Sequence, residues 1–309
     1  MKTIRLALLL LFVLLACVHD ASGGGVVAFG DSLSDMGNRW LKPDKPDITF
    51  RMTWVARLAG PSMLNAPDFK PSGLTAFYGG SNYAVGGAGT AVTAQMGGER
   101  NGGQSLTQQV TKRYLNPAFN TAGVQKEALH VIVIGANDLM LASVQLDQLA
   151  SQWTTLDKVG VAVAQSTEGQ IQALAAAGVT RVLWGNLFNV AQAPSVVAKS
   201  QLLGSSISSA YLSAITSAVL AHNREMDAAI ARLEKANPSL DVIKLDLYAL
   251  LGDIAADPAK YGFVEVTRGA NDSRHLFSAD GLHPTPKGHQ VLAEYAYKFL
   301  TSSGLAAGR

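Results

Sequence analysis

The chain has 309 residues, 48% of them hydrophobic and 16% charged, with 25 Lys+Arg against 23 Asp+Glu. That length and apolar share suit a folded chain with a sizeable core and exclude a disordered one. A net charge of +2 with no polybasic run leaves no electrostatic footprint for nucleic acid, and the single cysteine, Cys17, excludes a disulfide framework, a Cys-based zinc site and an iron–sulfur cluster.

Met1-Lys2-Thr3-Ile4-Arg5 is a cationic head, followed by an apolar run over residues 6–16. The run is too short for a permanent membrane span and has the proportions of a secretory signal. Residues 1–23 are therefore expected to direct export, and 24–309 to form one domain. Leu14-Leu15-Ala16-Cys17 resembles a bacterial lipobox, in which Cys17 becomes the lipidated first residue. Cleavage near Ala21-Ser22-Gly23 fits as well, and the two readings stay open. The expected location is secreted, periplasmic or lipid-anchored at the bacterial cell envelope. The membrane is then met only through an anchor at Cys17 or through a lipid substrate.

From Val26 onward short β-branched runs alternate with long helical stretches. Val26-Val27-Ala28-Phe29 reads as a buried strand ending at Gly30, and a weaker strand is expected near 62–66. His130-Val131-Ile132-Val133-Ile134 is a clear strand stopped by Gly135. A helix is predicted over 157–177, ending at Gly178, and a third strand over 181–185. A second helix, over 208–236, carries Ile215, Val219, Met226, Ile230 and Leu233 on one stripe. A fourth strand follows over 242–246, and a last helix over 286–300 opens with Pro286. Strand–helix alternation with strands apolar on both faces predicts a three-layer α/β/α sandwich around a parallel sheet. Insertions are expected around 39–80 and 91–128.

Parallel sheets bind ligands beyond the carboxyl ends of their strands. Gly30-Asp31-Ser32-Leu33-Ser34-Asp35 follows the first strand, Gly135-Ala136-Asn137-Asp138 the next clear one, and Asp280-Gly281-Leu282-His283-Pro284-Thr285 lies near the far end. A serine, an asparagine and an Asp/His pair in such loops are the parts of an acyl-transfer site. A serine hydroxyl attacks only when a neutral imidazole takes its proton, and a carboxylate must hold that imidazole in one tautomer. Ser32 is thus the candidate nucleophile, His283 the base and Asp280 its orienter. Asn137 and the Ser32 N–H are candidate oxyanion donors, and the glycine-rich run 78–88 offers another.

These blocks resemble the GDSL subgroup of the SGNH hydrolases, exported esterases and lipases with a flavodoxin-like α/β/α fold. Gly30-Asp31-Ser32-Leu33-Ser34-Asp35 with Gly37-Asn38 is similar to the family's first block, and Asn82-Tyr83-Ala84-Val85-Gly86-Gly87-Ala88 to the second. Gly135-Ala136-Asn137-Asp138 is similar to the third, and the Asp280–His283 block to the last. The resemblance implies a Ser32-His283-Asp280 triad and an oxyanion hole of Ser32, Asn137 and a glycine, assigned to Gly87 with Gly86 as the fallback. Ser105-Leu106-Thr107-Gln108-Gln109-Val110 is a secondary similarity. Relatives often carry a cysteine before the last block, whereas the run 267–278 has none, so a stapled loop is not implied.

Blander roles compete at each position. Ser32 and Asn137 could cap helices, Asp280 could close an Asx-turn, and Asp31 reads as a brace for the serine turn. His130 and His222 read as structural or exposed, His289 as outward-facing, and His275 as a distant substitute base. Trp40, Trp54, Phe77 and Tyr83 read as core ahead of an acyl pocket, which is expected from the two insertions. No H-E-x-x-H spacing occurs, so no metal and no cofactor are expected. The function expected is carboxylic ester hydrolysis through an acyl-serine. An acyltransferase using the same intermediate and a non-catalytic surface-binding protein on the same scaffold are the alternatives.

Overall fold

Each of the clear β-branched runs becomes one strand of a parallel sheet in the computed structural model, which describes residues 25–40, 53–74, 77–96, 104–145 and 155–304. The export segment with Cys17 lies outside these residues, as does the side chain of Trp40. Strands β1 (Val26–Gly30), β2 (Leu129–Val133), β3 (Arg181–Gly185) and β4 (Asp241–Leu245) stand side by side in that order, all parallel. Segment 81–85 runs along the other edge of β1. There the Ala28 N–H donates to Ser81 O at 3.0 Å, the Tyr83 N–H to Ala28 O at 2.7 Å and the Val85 N–H to Gly30 O at 3.0 Å. In chain order the pieces therefore stand second, first, third, fourth and fifth, the flavodoxin-like order, with its switch point between β1 and β2.

Helices α1 (Trp54–Leu58), α2 (Ala91–Gln95), α3 (Ala136–Ala142), α4 (Leu156–Ala176), α5 (Pro194–Gln201), α6 (Ser205–Ala236), α7 (Leu247–Ala256) and α8 (Pro286–Ser302) complete the layers, with a π-helical stretch Gln108–Tyr114. The period of two along β1 divides the core. Val26 and Ala28 join the cluster of Trp54 and Leu58 with Ala293, Ala296 and Leu300. Val27 and Phe29 join Ile171, Leu174, Met226 and Leu233. The sheet is thus covered on both faces, as its apolar strands require.

The predicted strand near 62–66 is a turn. The Met63 and Asn65 N–H groups both donate to Gly60 O, and Asn65 is the one described non-glycine at positive φ, +50°. Gly60-Pro61 and Asn65 are turn formers, and they override a short apolar run. Beyond the main sheet, β5 (Glu265–Gly269) pairs with β6 (His275–Phe277). Phe277 then bridges Pro284 antiparallel, which makes a hairpin of residues 278–283.

Candidate active site

Gly30 ends β1 at φ +146°, where a Cβ would lie 2.2 Å from Val133 O. Only glycine keeps β1 in register with β2 and turns at once into the next segment. Gln109 clamps this corner, accepting from the Gly30 N–H and donating Nε2 to Gly30 O, both at 2.8 Å. The Ser34 and Asp35 N–H groups then both donate to Asp31 O, winding one turn around Ser32. Asp31 Oδ1 accepts the Leu33 N–H at 3.0 Å, which is the bracing role read from the sequence. Burial pushes the Asp31 carboxyl up to about 6, against the Leu33 N–H and nearby His283.

The 278–283 hairpin brings the other two groups to Ser32. His283 Nε2 lies 2.8 Å from Ser32 Oγ, and His283 Nδ1 lies 2.5 Å from Asp280 Oδ2. The other Asp280 oxygen, Oδ1, accepts from Ser278 Oγ at 2.8 Å, the Leu282 N–H at 2.8 Å and the His283 N–H at 3.0 Å. Partial burial alone would raise the Asp280 carboxyl. The hydrogen bonds from His283, Leu282 and Ser278 outweigh it and hold the group at about 2. The carboxylate is therefore ionised beside Nδ1, which fixes Nδ1 as donor and leaves Nε2 to accept from the serine.

The N–H groups of Gly86 and Gly87 differ in their partners. The Gly86 N–H donates to Asp35 Oδ2 at 2.7 Å, while the Gly87 N–H has no acceptor among the described residues. Asp35 also takes the Gly37 and Asn38 N–H groups, and burial raises its carboxyl against these donors. Asn38 Nδ2 in turn donates to Asn82 O and Ala84 O, and Asn82 Nδ2 to Ser34 O, so the first and second blocks are laced together.

Helix α3 begins at Ala136 with Gly135 as its cap, so Asn137 is not the capping residue. Its Nδ2 donates to Ala88 O at 2.9 Å, beside Gly87, and one amide hydrogen remains. Sequence reasoning passed over Asp138. Its buried carboxylate accepts from the Thr90 and Thr93 N–H and hydroxyl groups, pinning α3 to the loop behind Gly87. An acidic residue in the first helical turn after an apolar strand was the available signal.

The remaining histidines are structural. His130 bonds Tyr114 and Ala128 O, His222 bonds Asn223, and burial pushes both imidazoles down to about 4. His275 is held by Asp272 at 2.8 Å. His289 does not face outward. Its Nδ1 accepts the Trp54 N–H at 3.2 Å, and burial beside His283 and Arg57 pushes it down to about 3. Tyr83 and Trp54 are buried and Phe77 half-buried in the core. Among the described residues no His/Cys/Asp/Glu group could hold a metal, and no helix is long and apolar enough to cross a membrane.

A family model described as GDSL-like lipase/acylhydrolase matches residues 26–296. Among solved structures the chain is similar to an extracellular lipase from Streptomyces rimosus, at 15% identity and a TM-score of 0.42, over 90% of this chain and 98% of that one. No curated protein matches.

Proposed function

The chain belongs to the GDSL-like lipase/acylhydrolase family and is an ester-hydrolysing enzyme, and from that premise we propose that Ser32, His283 and Asp280 are its catalytic triad and that Ser32, Gly87 and Asn137 form its oxyanion hole. The observation that carries this reading is the unbroken line from Asp280 Oδ2 through both ring nitrogens of His283 to Ser32 Oγ.

In this mechanism His283 Nε2 takes the Ser32 hydroxyl proton as Oγ attacks the carbonyl carbon. Asp280 stabilises the imidazolium that forms. The developing oxyanion takes hydrogen bonds from the Ser32 and Gly87 N–H groups and from Asn137 Nδ2. As the tetrahedral species collapses, His283 returns its proton to the departing alcohol oxygen. Water then repeats the sequence on the acyl-serine and releases the acid. The three donors sit on two loops and the start of α3, all held in place by Asp31, Asp35 and Asp138, so little reorganisation is needed as charge develops.

A fluorophosphonate should label Ser32 and abolish esterase activity. Labelling elsewhere, or full activity in Ser32→Ala, overturns the assignment. Export rests on the cationic head and the apolar run of the first residues. Incorporation of labelled palmitate that Cys17→Ser abolishes separates a lipid anchor from plain cleavage.

A further inference from the structure

A groove separate from this site runs along the C-terminal half of α8. It holds about 460 Å³ open to solvent, within the roughly 300–1,000 Å³ usual for small-molecule sites. One wall is α8, with Glu294, Tyr295, Lys298 and Phe299, and the other is the short turn Pro258–Tyr261, with Lys260 and Tyr261. The stretch of α8 that borders it, from Val291 to Ser302, is about 16 Å long. About 14 Å of helix separates Tyr295 from Pro286, at the loop of His283. Both tyrosines are anchored by their hydroxyls to residues outside the lining. Tyr295 Oη donates to Asp246 O at 3.3 Å, and Tyr261 Oη donates to Asp253 Oδ2. Lys260 Nζ, 2.6 Å from the same Asp253 oxygen, lies 5.2 Å from the centre of the Tyr261 ring. What the tyrosines give the groove is therefore carbon rings already fixed in place. Two groups on α8 keep bonding capacity in reserve. Among the described residues Lys298 Nζ has no acceptor, and of the Glu294 carboxylate only Oε1 is engaged, by Gln290 Nε2 at 2.6 Å.

From this arrangement we infer that the groove is a binding site for a neutral oligosaccharide, distinct from the catalytic site. A sugar ring has a C–H face that packs on an aromatic ring, and a rim of hydroxyls that each donate and accept. The groove offers partners for both. Tyr261, Tyr295 and Phe299 supply the rings, while Lys298 and Glu294, one helical turn apart, supply a donor and an acceptor. Charge selects against anions. Lys260 is paired with Asp253, and Lys298 is balanced by Glu294, so an anion that reached Lys298 would be repelled by the carboxylate beside it. A wholly apolar ligand would desolvate Lys298 and Glu294 without pairing them. An extended peptide needs a free sheet edge, and both walls of the groove are helical. The site rests on no catalytic assignment. Its use to an ester-hydrolysing enzyme is attachment, since a weak second site raises the effective concentration of the catalytic loops at a glycan surface.

The test is calorimetry of the full protein with cellotetraose, xylotetraose and triacetylchitotriose, none of which carries a carboxylic ester. At least one should bind with a Kd of about 1 mM or tighter. Ser302→Trp, which fills the groove from an exposed position, and Tyr261→Ala should each weaken that binding at least about tenfold. Tyr261→Phe keeps the ring and should stay within about threefold of the parent. Lys298→Ala should weaken binding about tenfold by removing a charged donor. All four variants should keep the parent's melting temperature and its turnover of p-nitrophenyl acetate, so that the loss is one of sugar binding alone. Absence of binding for all three probes at about 10 mM overturns the inference. Binding that Ser302→Trp leaves unchanged puts the sugar elsewhere and overturns it too. Inorganic phosphate that binds in place of the sugars, and is lost in Lys298→Ala, overturns the choice of a neutral ligand.

Discussion

Replacing Asp280 by Asn separates a catalytic carboxylate from a turn-forming one, because the two oxygens of this side chain have different partners. Oδ1 receives three donors of its own loop, at 2.8, 2.8 and 3.0 Å, and Oδ2 receives only His283 Nδ1, at 2.5 Å. An asparagine can keep its carbonyl oxygen on the three loop donors and so preserve the Asx-turn. Its NH₂ then faces His283 Nδ1. That nitrogen must become the acceptor, which moves the ring proton to Nε2, toward Ser32. A serine facing an N–H has no base. In a serine-protease triad the same exchange costs about 10⁴-fold in kcat with the geometry intact, and a loss of that order is expected here.

The assay is kcat/KM on a short p-nitrophenyl ester alongside thermal melting of the same preparation, for Asp280→Asn and Asp280→Ala. Asp280→Asn should melt close to the parent while losing about four decades of activity. Asp280→Ala removes the loop acceptor as well, and should lose a further 1–2 kcal/mol of stability, roughly. If Asp280→Asn keeps activity within about tenfold of the parent, the carboxylate does not orient His283 and Asp280 is a turn residue only.

The remaining tests address the loops and the core. Asn137→Ala should lower kcat by about 10²–10³-fold with KM little changed, and its melting temperature should move only by the loss of the bond to Ala88 O; an unchanged kcat removes Asn137 from the site. Gly30→Ala places a Cβ 2.2 Å from Val133 O at φ +146°, and should destabilise the fold by about 3 kcal/mol or more in urea unfolding. His222 is held neutral in the folded state, with its pKa at about 4 against an ordinary 6.5. The unfolded chain therefore binds the proton first, and stability falls as pH drops from 6.5 toward 4. His222→Gln should make that slope shallower by about 1.4 kcal/mol per pH unit, read from urea midpoints across the same window.

What could be read from the sequence divides by distance along the chain. Asp280 and His283 meet inside one hairpin and Ser32 directly follows a strand, so local spacing and chemistry single them out as candidates. That the Gly86 N–H is already taken was not readable, because its acceptor is Asp35, 51 residues away. His289 was misread for the same reason. Its environment is made by Trp54, 235 residues earlier, where an insertion packs against α8. Asp138 escaped notice because its four donors come from Thr90 and Thr93, in a separate loop.

The two halves of the relay illustrate the same division. The Asp280–His283 bond spans three residues, whereas the His283–Ser32 bond spans 251. The first survives any fold that keeps the hairpin. The second depends on where β1 ends, on the Gly30 corner that Gln109 clamps, and on the pairing that seats β6 and its hairpin. Distortion of that corner should therefore disconnect Ser32 from a dyad that stays intact, with fluorophosphonate labelling lost before the Asp280–His283 geometry changes. The protein invests its buried carboxylates at this long-range joint. Asp31, Asp35 and Asp138 each receive backbone N–H groups from the segments around Ser32, Gly86 and Thr90, and burial raises each of their carboxyls. Burying three acids costs stability, and the return is a fixed position for groups that chain connectivity alone would leave apart.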